Sequence, residues 1–303
     1  MNVLLIVNAS ASSVTARTRV VIQKALSADH QVTVAETSRR GHATRLAQGA
    51  AADGRDAVVV LGGDGTLNEA ANGLAGSHTA LGVLPGGSTN VFARTVGLPN
   101  DPIEATGELL GSMARRSIRR ISLGNLNGRY FLFHVGLGFD AAVVEQVEKR
   151  SGLKRYAGHP LFLWATLTTW FRHYDRTRPR FALRASDGTV VDDAVFALVL
   201  KTNPYTFLGN RPLDVAPQAG FDTGLSVVVF RELSLPTLFR AVGGALVGWG
   251  IAPARHVAVA HDVTELSVAG HGPFPYQVDG DFLGDITDLT IRCESACLDL
   301  FVP

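Results

Sequence analysis

The stretch VVVLGGDGTLNEAANGL, residues 58–74, decides the fold of the first third of the chain. Its apolar start is typical of a buried strand, and its end has the periodicity of a helix. Glycines between a strand and a helix predict a loop whose backbone N–H groups, together with the positive end of the helix dipole, attract phosphate. Asp64 stands among these glycines, where a bare carboxylate would repel a nucleotide. The sequence therefore poses the question of what Asp64 does there.

Strands and helices alternate on both sides of this stretch. We predict strands at residues 3–7, 31–36, 57–61 and 81–84, and helices at 13–27, 43–53 and 67–74. Strands that are apolar throughout and are separated by helices indicate a parallel sheet covered on both faces. We therefore predict a three-layer α/β domain over residues 1–120.

The pattern changes near residue 121 to alternating strands and hairpin signals. Asn127-Gly128 and Asp187-Gly188 each lie between two strand-like runs, as type I′ turns do. Further strand candidates lie at residues 225–230, 256–260, 264–268, 287–292 and 297–302. We predict a second, mostly antiparallel β-sandwich domain over residues 121–303, with a helical insert at 142–176.

Composition places the chain among ordinary globular proteins. Apolar residues make up 46% and charged residues 18% of 303 positions, a balance that excludes disorder and fibres. Cys293 and Cys297 are too few for a disulfide framework and wrongly spaced for a CxxC metal site, so we expect a reducing cytoplasm. The N-terminus reads as a buried strand, and no apolar run reaches the ~20 residues of a spanning helix. We expect a soluble protein, or one that lies on a membrane.

A second glycine-rich loop, LPGGSTN at residues 84–90, also follows a strand and precedes a helix. The carboxyl ends of parallel strands open at one edge of the sheet, where α/β folds bind ligands. Neither loop matches GxxxxGK[ST] or GxGxxG, which excludes the familiar phosphate loops. A tight turn explains one such loop, but two loops in register favour a shared binding site.

Four segments together resemble the diacylglycerol kinase catalytic family. They are GGDGTLNEAANGL at 62–74, GVLPGGSTNVFARTVGLP at 82–99, VGLGFDAAVV at 135–144 and VDGD at 278–281. They occur in the expected order over nearly the whole chain. The superfamily also includes sphingosine kinases and, more distantly, NAD kinases. The resemblance implies an ATP-dependent lipid kinase that converts diacylglycerol to phosphatidic acid with Mg²⁺.

The resemblance also implies a nucleotide site. A bound Mg²⁺ makes a carboxylate beside a triphosphate attractive, so Asp64 would bind the metal directly or through a water. The loop after the first strand reads NASAS and lacks the proline and glycine of the family's N-P-x-[SA]-G pattern. The implied nucleotide-binding residues are Asn8, Thr37, Gly62, Gly63, Gly65, Thr66, Asn68, Glu69, Gly87, Ser88 and Asn90.

Two further aspartates match catalytic positions of the family. Asp140, in GFDA, would join the carboxylate and metal network or cap a helix. Asp281 replaces the family's glutamate as the general base and reaches one methylene less far. In FDTGL, Thr223 stands where the family has the second aspartate of D-D-G-L, so we expect the accessory structural Mg²⁺ site at Asp222 to be weak or absent.

The expected partners follow from the resemblance and from charge. We expect a lipid alcohol, diacylglycerol in particular, a peripheral location at the inner face of the membrane, and no nucleic acid. The apolar segment 161–171 with its basic flanks would touch the bilayer, or it is simply core. Edge strands of such a β domain can pair across a two-fold axis into a homodimer. The alternatives are an NAD kinase-like enzyme and a non-catalytic nucleotide- or lipid-binding regulator.

Overall fold

The computed structural model describes residues 1–149, 164–175 and 178–303. They form two compact units, the α/β unit of residues 1–123 and 294–303, and the β unit of residues 124–293. The domain division predicted from sequence put every residue after 120 in the second domain. The division differs at the C-terminus because the last strand pairs with the sheet of the α/β unit.

The α/β unit is built on a parallel sheet. Its strands β1 (Asn2–Val7), β2 (Gln31–Glu36), β3 (Ala57–Gly62) and β4 (Ala80–Pro85) lie in the order β4-β3-β1-β2. All three pairings are parallel, and every residue of β3 and β4 is buried. Strands buried on both faces read as continuous apolar runs. The sequence-based prediction of a parallel sheet is confirmed.

Five helices belong to the α/β unit: α1 (Ala16–Asp29), α2 (His42–Ala52), α3 (Asp64–Leu74), α4 (Val91–Thr95) and α5 (Pro102–Arg115). The predicted start of α3 at residue 67 was wrong, because Gly63 is the N-cap and the chain is helical from Asp64 onward. The bounds of α5 were not predicted. They follow from Asp101, whose side chain accepts the N–H groups of Ile103 and Glu104 ahead of a proline at the first position.

The β unit is antiparallel, as predicted. The strands from residue 118 onward are β5 (Ile118–Leu126), β6 (Arg129–Phe131), β7 (His134–Leu137), β8 (Phe181–Ala185), β9 (Val190–Ala194), β10 (Phe196–Leu200), β11 (Thr206–Leu208), β12 (Arg211–Leu213), β13 (Leu225–Phe230), β14 (Val257–Val263), β15 (Glu265–Val278) and β16 (Asp281–Phe301). The start of β5 and the end of β16 belong to the α/β unit, and the other strands belong to the β unit. The main path runs β14-β13-β10-β7-β15-β16. The two strands predicted at 287–292 and 297–302 are one continuous strand, β16, whose end pairs in parallel with β4 through Leu300 and Leu81.

Turn residues set the hairpins of the β unit. Asn127-Gly128 and Asp279-Gly280 have positive φ at both positions, as a type I′ turn requires. At Asp187-Gly188 the hairpin is present, but the predicted type I′ turn is wrong, because among these two only Gly188 has a positive φ, at 90°. The loop there is longer, and the Gly188 N–H donates to the carbonyl of Ala185 at 3.0 Å.

Helices cover one face of the antiparallel sheet. They are α6 (Phe139–Glu148), a π-helical turn (Thr169–His173) and α7 (Leu235–Leu246). Alternate residues of β10 and β13 face these helices, and the others face β8 and β9 across a second core. Trp170 of the predicted insert is 3% exposed and packs edge-on to Phe139, so this part of the apolar segment is core. Residues 150–163 and 176–177 of the insert lie outside the described residues.

None of the helices in residues 1–149, 164–175 and 178–303 is long and apolar enough to cross a bilayer.

Candidate active site

The two glycine loops of the α/β unit pack backbone against backbone. The Gly86 N–H donates to the Gly62 carbonyl at 2.8 Å. A Cβ on Gly86 would lie 2.8 Å from the Gly62 Cα, and one on Gly87 would lie 2.9 Å from the Gly63 Cα. A Cβ on Gly65 would meet open space. The contact between the loops therefore requires glycine at positions 86 and 87, whereas Gly65 faces open space.

Asp64 joins the two loops. Its Oδ2 accepts the Val91 N–H at 3.0 Å and its Oδ1 accepts the Phe92 N–H at 3.1 Å. These donors lie at the start of α4, whose N-cap residue makes no side-chain cap of its own. A carboxylate at a helix N-terminus is electrostatically favourable. These contacts favour a positioning role for Asp64, and its predicted role on the metal stays a prediction.

Three residues predicted to bind nucleotide make hydrogen bonds within the α/β unit, and their role on the nucleotide stays a prediction. Asn90, 3% exposed, accepts the Gly87 N–H at 2.7 Å and donates to the Gly87 carbonyl at 2.9 Å, which closes its own loop. Asn68 is 2% exposed and accepts a hydrogen bond from Asn72. Glu69 accepts the N–H groups of Gly41 and Ala43 and so caps α2. None of these hydrogen bonds places the side chain of Asn90, Asn68 or Glu69 at the surface of the loops.

Asn8 and Thr66 connect the first loop to α3. The Asn8 amide donates to the Thr66 hydroxyl at 2.8 Å, and its Oδ1 accepts the Ser10 N–H at 3.0 Å. Thr37 is half-buried at the end of β2, and its N–H donates to the Val7 carbonyl at 2.9 Å. Ser88 is exposed. The predicted residues therefore lie at one edge of the sheet, but Ser88 and Gly65 are the ones that are fully exposed.

The N-terminus of α3 is the part of this edge that fits an anion. The first intrahelical bond runs from the Leu67 N–H to the Gly63 carbonyl at 3.1 Å, and no side chain of Gly63 caps the helix. Helix geometry leaves the N–H groups of residues 65 and 66 for an external acceptor. The space beneath the loops, lined partly by Asp64 and Asn90, is about 10 Å³ and holds one water at most. This space is therefore too small for a triphosphate.

No metal cage accompanies this edge. In the part of the chain that the structure describes, no group of three or more His, Cys, Asp or Glu side chains could hold a metal ion. Mg²⁺ in phosphoryl-transfer sites is commonly bound by one or two carboxylates together with substrate phosphates. The described residues thus fit a metal that arrives with a nucleotide, and they do not fit a metal held by protein alone.

In the β unit, Asp140 lies buried at the start of α6. The Tyr205 hydroxyl donates to its Oδ1, and the Gln277 amide donates to its Oδ2 at 2.6 Å. Burial raises the pKa of Asp140 above its ordinary value, and the two hydrogen bonds partly oppose that rise. A Cβ on Gly136 would collide with the carboxylate, at 1.8 Å from Oδ2. Asp140 is therefore packed into the unit and does not reach its surface.

Gln277 links Asp140 to the Asp279-Gly280 turn through hydrogen bonds to both. Its Oε1 accepts the Gly280 N–H at 2.8 Å. The Asp279 carboxylate accepts three backbone N–H groups, from Leu132 at 2.7 Å and from Phe133 and His134 at 3.0 Å. The conformation of the turn is therefore fixed from both sides, and with it the position of Asp281.

Asp281 follows that turn as the first residue of β16. Its Oδ2 lies 3.1 Å from the Arg129 guanidinium, and its side chain is 26% exposed. Asp140 and Asp279 are 6% and 7% exposed. Among these three aspartates Asp281 is therefore the one that can meet a substrate.

Lys201 binds the loop to which the resemblance assigns a structural metal. The side chain is fully buried, and its ammonium donates to the carbonyls of Gly220 at 2.6 Å, Thr223 at 2.7 Å and Phe221 at 3.4 Å. A buried charge is tolerated only when its hydrogen-bonding capacity is met. Asp222 is exposed. The loop carbonyls thus already hold a cation that the chain supplies, and they do not fit an additional divalent cation.

Comparison with known proteins places the chain in a family. The model of the diacylglycerol kinase catalytic domain matches residues 2–126. A probable YegS-like lipid kinase of Pseudomonas aeruginosa PAO1 is 33% identical over 227 residues, which cover 74% of this chain and 69% of that protein. The chain belongs to the diacylglycerol kinase family of lipid kinases.

Further relatives agree with this membership. A diacylglycerol kinase of Staphylococcus carnosus is 31% identical over 272 residues, which cover 88% of this chain and 83% of that protein. The diacylglycerol kinase of Bacillus subtilis is 39% identical, but over 39% of each chain. The structure of a putative diacylglycerol kinase from Bacillus anthracis has a TM-score of 0.79 at 22% identity and covers 100% of this chain and 97% of that one.

The lipid-kinase fold also extends to NAD kinases. An Archaeoglobus fulgidus NAD kinase, solved in complex with ATP, has a TM-score of 0.53 at 14% identity and covers 99% of this chain and 93% of that one. This likeness concerns the fold alone.

Sequence reasoning missed several residues of the β unit. Tyr205, Gln277 and Arg129 contact the predicted aspartates from 65, 137 and 152 positions away. Gln277 precedes VDGD by one residue, and its position next to that motif was the available signal. His134 was missed as well. Its ring lies 4.3 Å from that of Tyr205, and burial lowers its pKa to about 3.

Proposed function

We propose that this lipid kinase transfers the γ-phosphoryl group of ATP to the hydroxyl of diacylglycerol and forms phosphatidic acid. The observation that carries the proposal is the match to the Staphylococcus carnosus diacylglycerol kinase over 83% of its length. The YegS-like relatives share the kinase family without naming diacylglycerol, so the acceptor is the finer part of the proposal.

For the donor, we assign the triphosphate to the N-terminus of α3. Gly65 lets phosphate approach the backbone there, and the exposed Ser88 hydroxyl lies on the neighbouring loop. Phosphoryl transfer depends mainly on position and on electrostatic neutralisation. Asp64 and Asn90 support this site indirectly by holding the two loops in register.

For Mg²⁺, we propose that it arrives bound to the nucleotide. Each oxygen of Asp64 accepts one backbone N–H group, so this carboxylate acts as a cap for α4, and we propose no direct role for it on the metal. The metal would neutralise phosphate charge. The proposed phosphoryl transfer requires no metal ligand from the chain.

For the acceptor, we assign the general base to Asp281. The lipid hydroxyl oxygen forms a bond to the γ-phosphorus, its proton passes to the Asp281 carboxylate, and the bond to the β,γ-bridging oxygen breaks to release ADP. The Arg129 guanidinium contacts Asp281 at 3.1 Å and holds its carboxylate in position. Asp140 is a positioning residue, because it acts through Gln277 on the turn before Asp281.

The location and assembly follow from the same proposal. A lipid acceptor lies in a bilayer, so we propose peripheral attachment to the cytoplasmic face of the membrane. The homodimer stays a prediction from the sequence.

The proposal is tested with purified protein, radiolabelled ATP and a panel of acceptors. Diacylglycerol in mixed micelles is expected to give labelled phosphatidic acid, and monoacylglycerol, sphingoid base, ceramide, undecaprenol and NAD serve as competing acceptors. Label transferred to another lipid alcohol would support the lipid-kinase activity and show that the acceptor is not diacylglycerol. Label in NAD alone, or ATP binding without transfer, would contradict the proposal in favour of an NAD kinase or a regulator.

A further inference from the structure

Helix α7 and the turn after it expose a contiguous apolar face. Leu235, Phe239 and Val242 follow each other at helical spacing of four and three, so they share one side of the helix. Phe239 is 73% exposed, and Trp249 just beyond the helix is 85% exposed. The opposite side, with Ala241 and Ala245, is buried in the core. Grouped exposed apolar side chains of this kind mark an interaction surface.

A groove with two arginines adjoins this face. It has a volume of about 240 Å³, and its apolar lining includes Ala241, Ile251 and Val257. Arg240 of α7 and Arg255, which follows that helix in the chain, both line the groove. Both are exposed, and neither forms an ion pair among the residues that the structure describes. Two unpaired guanidinium groups on one groove are suited to phosphate oxygens.

The polar groups near the arginines complete the groove. Thr237 and His256 also line it. The Thr237 hydroxyl lies 2.9 Å from that of Ser234, and the His256 Nδ1 lies 3.4 Å from a carboxylate oxygen of Glu232. Glu232 therefore lies beside His256, and among the described residues it forms no ion pair with either arginine.

The charge of the whole segment selects the kind of surface. Residues 233–261 contain no Asp or Glu, and Arg240 and Arg255 are its two arginines. The segment is therefore apolar and cationic, and it complements a surface that is apolar and anionic. A bilayer with anionic phospholipid has both properties, and the exposed Trp249 is of the type enriched at membrane interfaces.

We propose that this face docks on a membrane, with the phosphate of an anionic phospholipid between Arg240 and Arg255 while Phe239 and Trp249 enter the acyl boundary. The inference deepens the proposed function, on which it rests, because a kinase with a membrane lipid as acceptor must reach the bilayer. Apolar insertion and electrostatic attraction act together here, and stable attachment generally takes two such signals.

The test is co-sedimentation of the full chain with vesicles, without ATP. Binding is expected on vesicles of equal phosphatidylcholine and phosphatidylglycerol, weak on phosphatidylcholine alone, and reduced when salt rises from about 0.1 M to about 0.5 M. The double variant Arg240→Gln/Arg255→Gln is expected to lower the partition coefficient on anionic vesicles by at least about tenfold. Its matched control, Arg17→Gln/Arg45→Gln, removes two exposed arginines of the α/β unit and is expected to bind as wild type.

The apolar part is tested in the same way. Phe239→Ser/Trp249→Ser is expected to lose binding to anionic vesicles, while Leu208→Ser, at a residue 46% exposed elsewhere on the β unit, is expected to keep it. Wild-type binding by either double variant would overturn the inference. So would capture of inorganic phosphate without vesicle binding, or loss of self-association in Phe239→Ser/Trp249→Ser with vesicle binding unchanged.

The kinase assay in micelles separates this inference from the proposed function. Phosphatidic acid formed in micelles by a protein that does not bind vesicles would contradict the docking face and leave the proposed function standing. Vesicle binding that depends on Arg240 and Arg255, without transfer to any lipid, would sink the proposed function alone.

Discussion

Asp64 and Val91 are joined by a hydrogen bond between the carboxylate Oδ2 and the backbone N–H, at 3.0 Å and across 27 positions of sequence. With the companion bond to Phe92, it ties the glycine loop after β3 to the glycine loop after β4. The carboxylate is thus balanced by a helix terminus. This contact therefore offsets the repulsion expected between the Asp64 carboxylate and phosphate, even without a metal.

Asp64→Asn is expected to lower the free energy of unfolding by about 1–2 kcal/mol, because the amide offers one acceptor in place of two and loses the charge at the helix N-terminus. Urea unfolding measures the change, and Asp53→Asn at an exposed position of the α/β unit is the control. Unchanged stability combined with lost Mg²⁺-dependent ATP binding would instead support the metal role predicted for Asp64.

Asp281→Asn is expected to lower kcat on diacylglycerol by about 100-fold or more, because the acceptor hydroxyl then lacks its base. The Tm is expected to change little, since the side chain is partly exposed. Asp285→Asn, at an exposed position of the same strand, is the matched control and should retain activity. Equal rates for Asp281→Asn and Asp285→Asn would remove Asp281 from the mechanism.

Asp140 is expected to make stability depend on pH in a defined direction. Its pKa is raised in the folded protein from an ordinary 3.8, so the folded state holds a proton that the unfolded state releases. Its contribution to stability is therefore full below about 3.8 and falls as pH rises through the folded pKa. Urea unfolding of wild type and Asp140→Asn across this range is expected to show that slope in the difference between their free energies of unfolding.

His134 makes stability depend on pH in the opposite direction, and this contribution is the same in wild type and in Asp140→Asn. Its folded pKa of about 3 lies below the ordinary 6.5, so its contribution to stability is lost as pH falls from 6.5. A difference between wild type and Asp140→Asn that does not vary with pH would contradict the raised pKa of Asp140.

Lys201→Met is expected to cost about 2 kcal/mol or more of stability, because three partly buried carbonyl oxygens lose a charged donor. Lys24→Met, at an exposed lysine of α1, is the control and should change stability little. Wild-type Tm, measured without nucleotide, is expected to be the same in EDTA and in Mg²⁺. A Tm that rises with Mg²⁺ and no longer does so in Asp222→Asn would show that the loop holds a metal after all.

Local patterns were sufficient for most of the architecture. The apolar runs of β1, β3 and β4 and the helices between them could be predicted, because strand and helix periods and burial on both sheet faces are written in neighbouring residues. The hairpin at Asn127-Gly128 could be predicted for the same reason, since a type I′ turn depends on two adjacent residues. The motifs were enough to indicate the kinase family.

Tertiary structure alone decided what the site residues contact. Asp64, Asn90 and Glu69 sit in the motifs, but their partners lie on other loops and helices, and Lys201 meets carbonyls about 20 positions away. Gln277 and Asp140 meet across 137 positions. A residue's type shows which hydrogen bonds it can make, but the path of the chain determines which donors and acceptors come within 3 Å. The sequence by itself therefore determined the fold class and the family, and only the folded chain decided which aspartates support the site and which one is exposed to act.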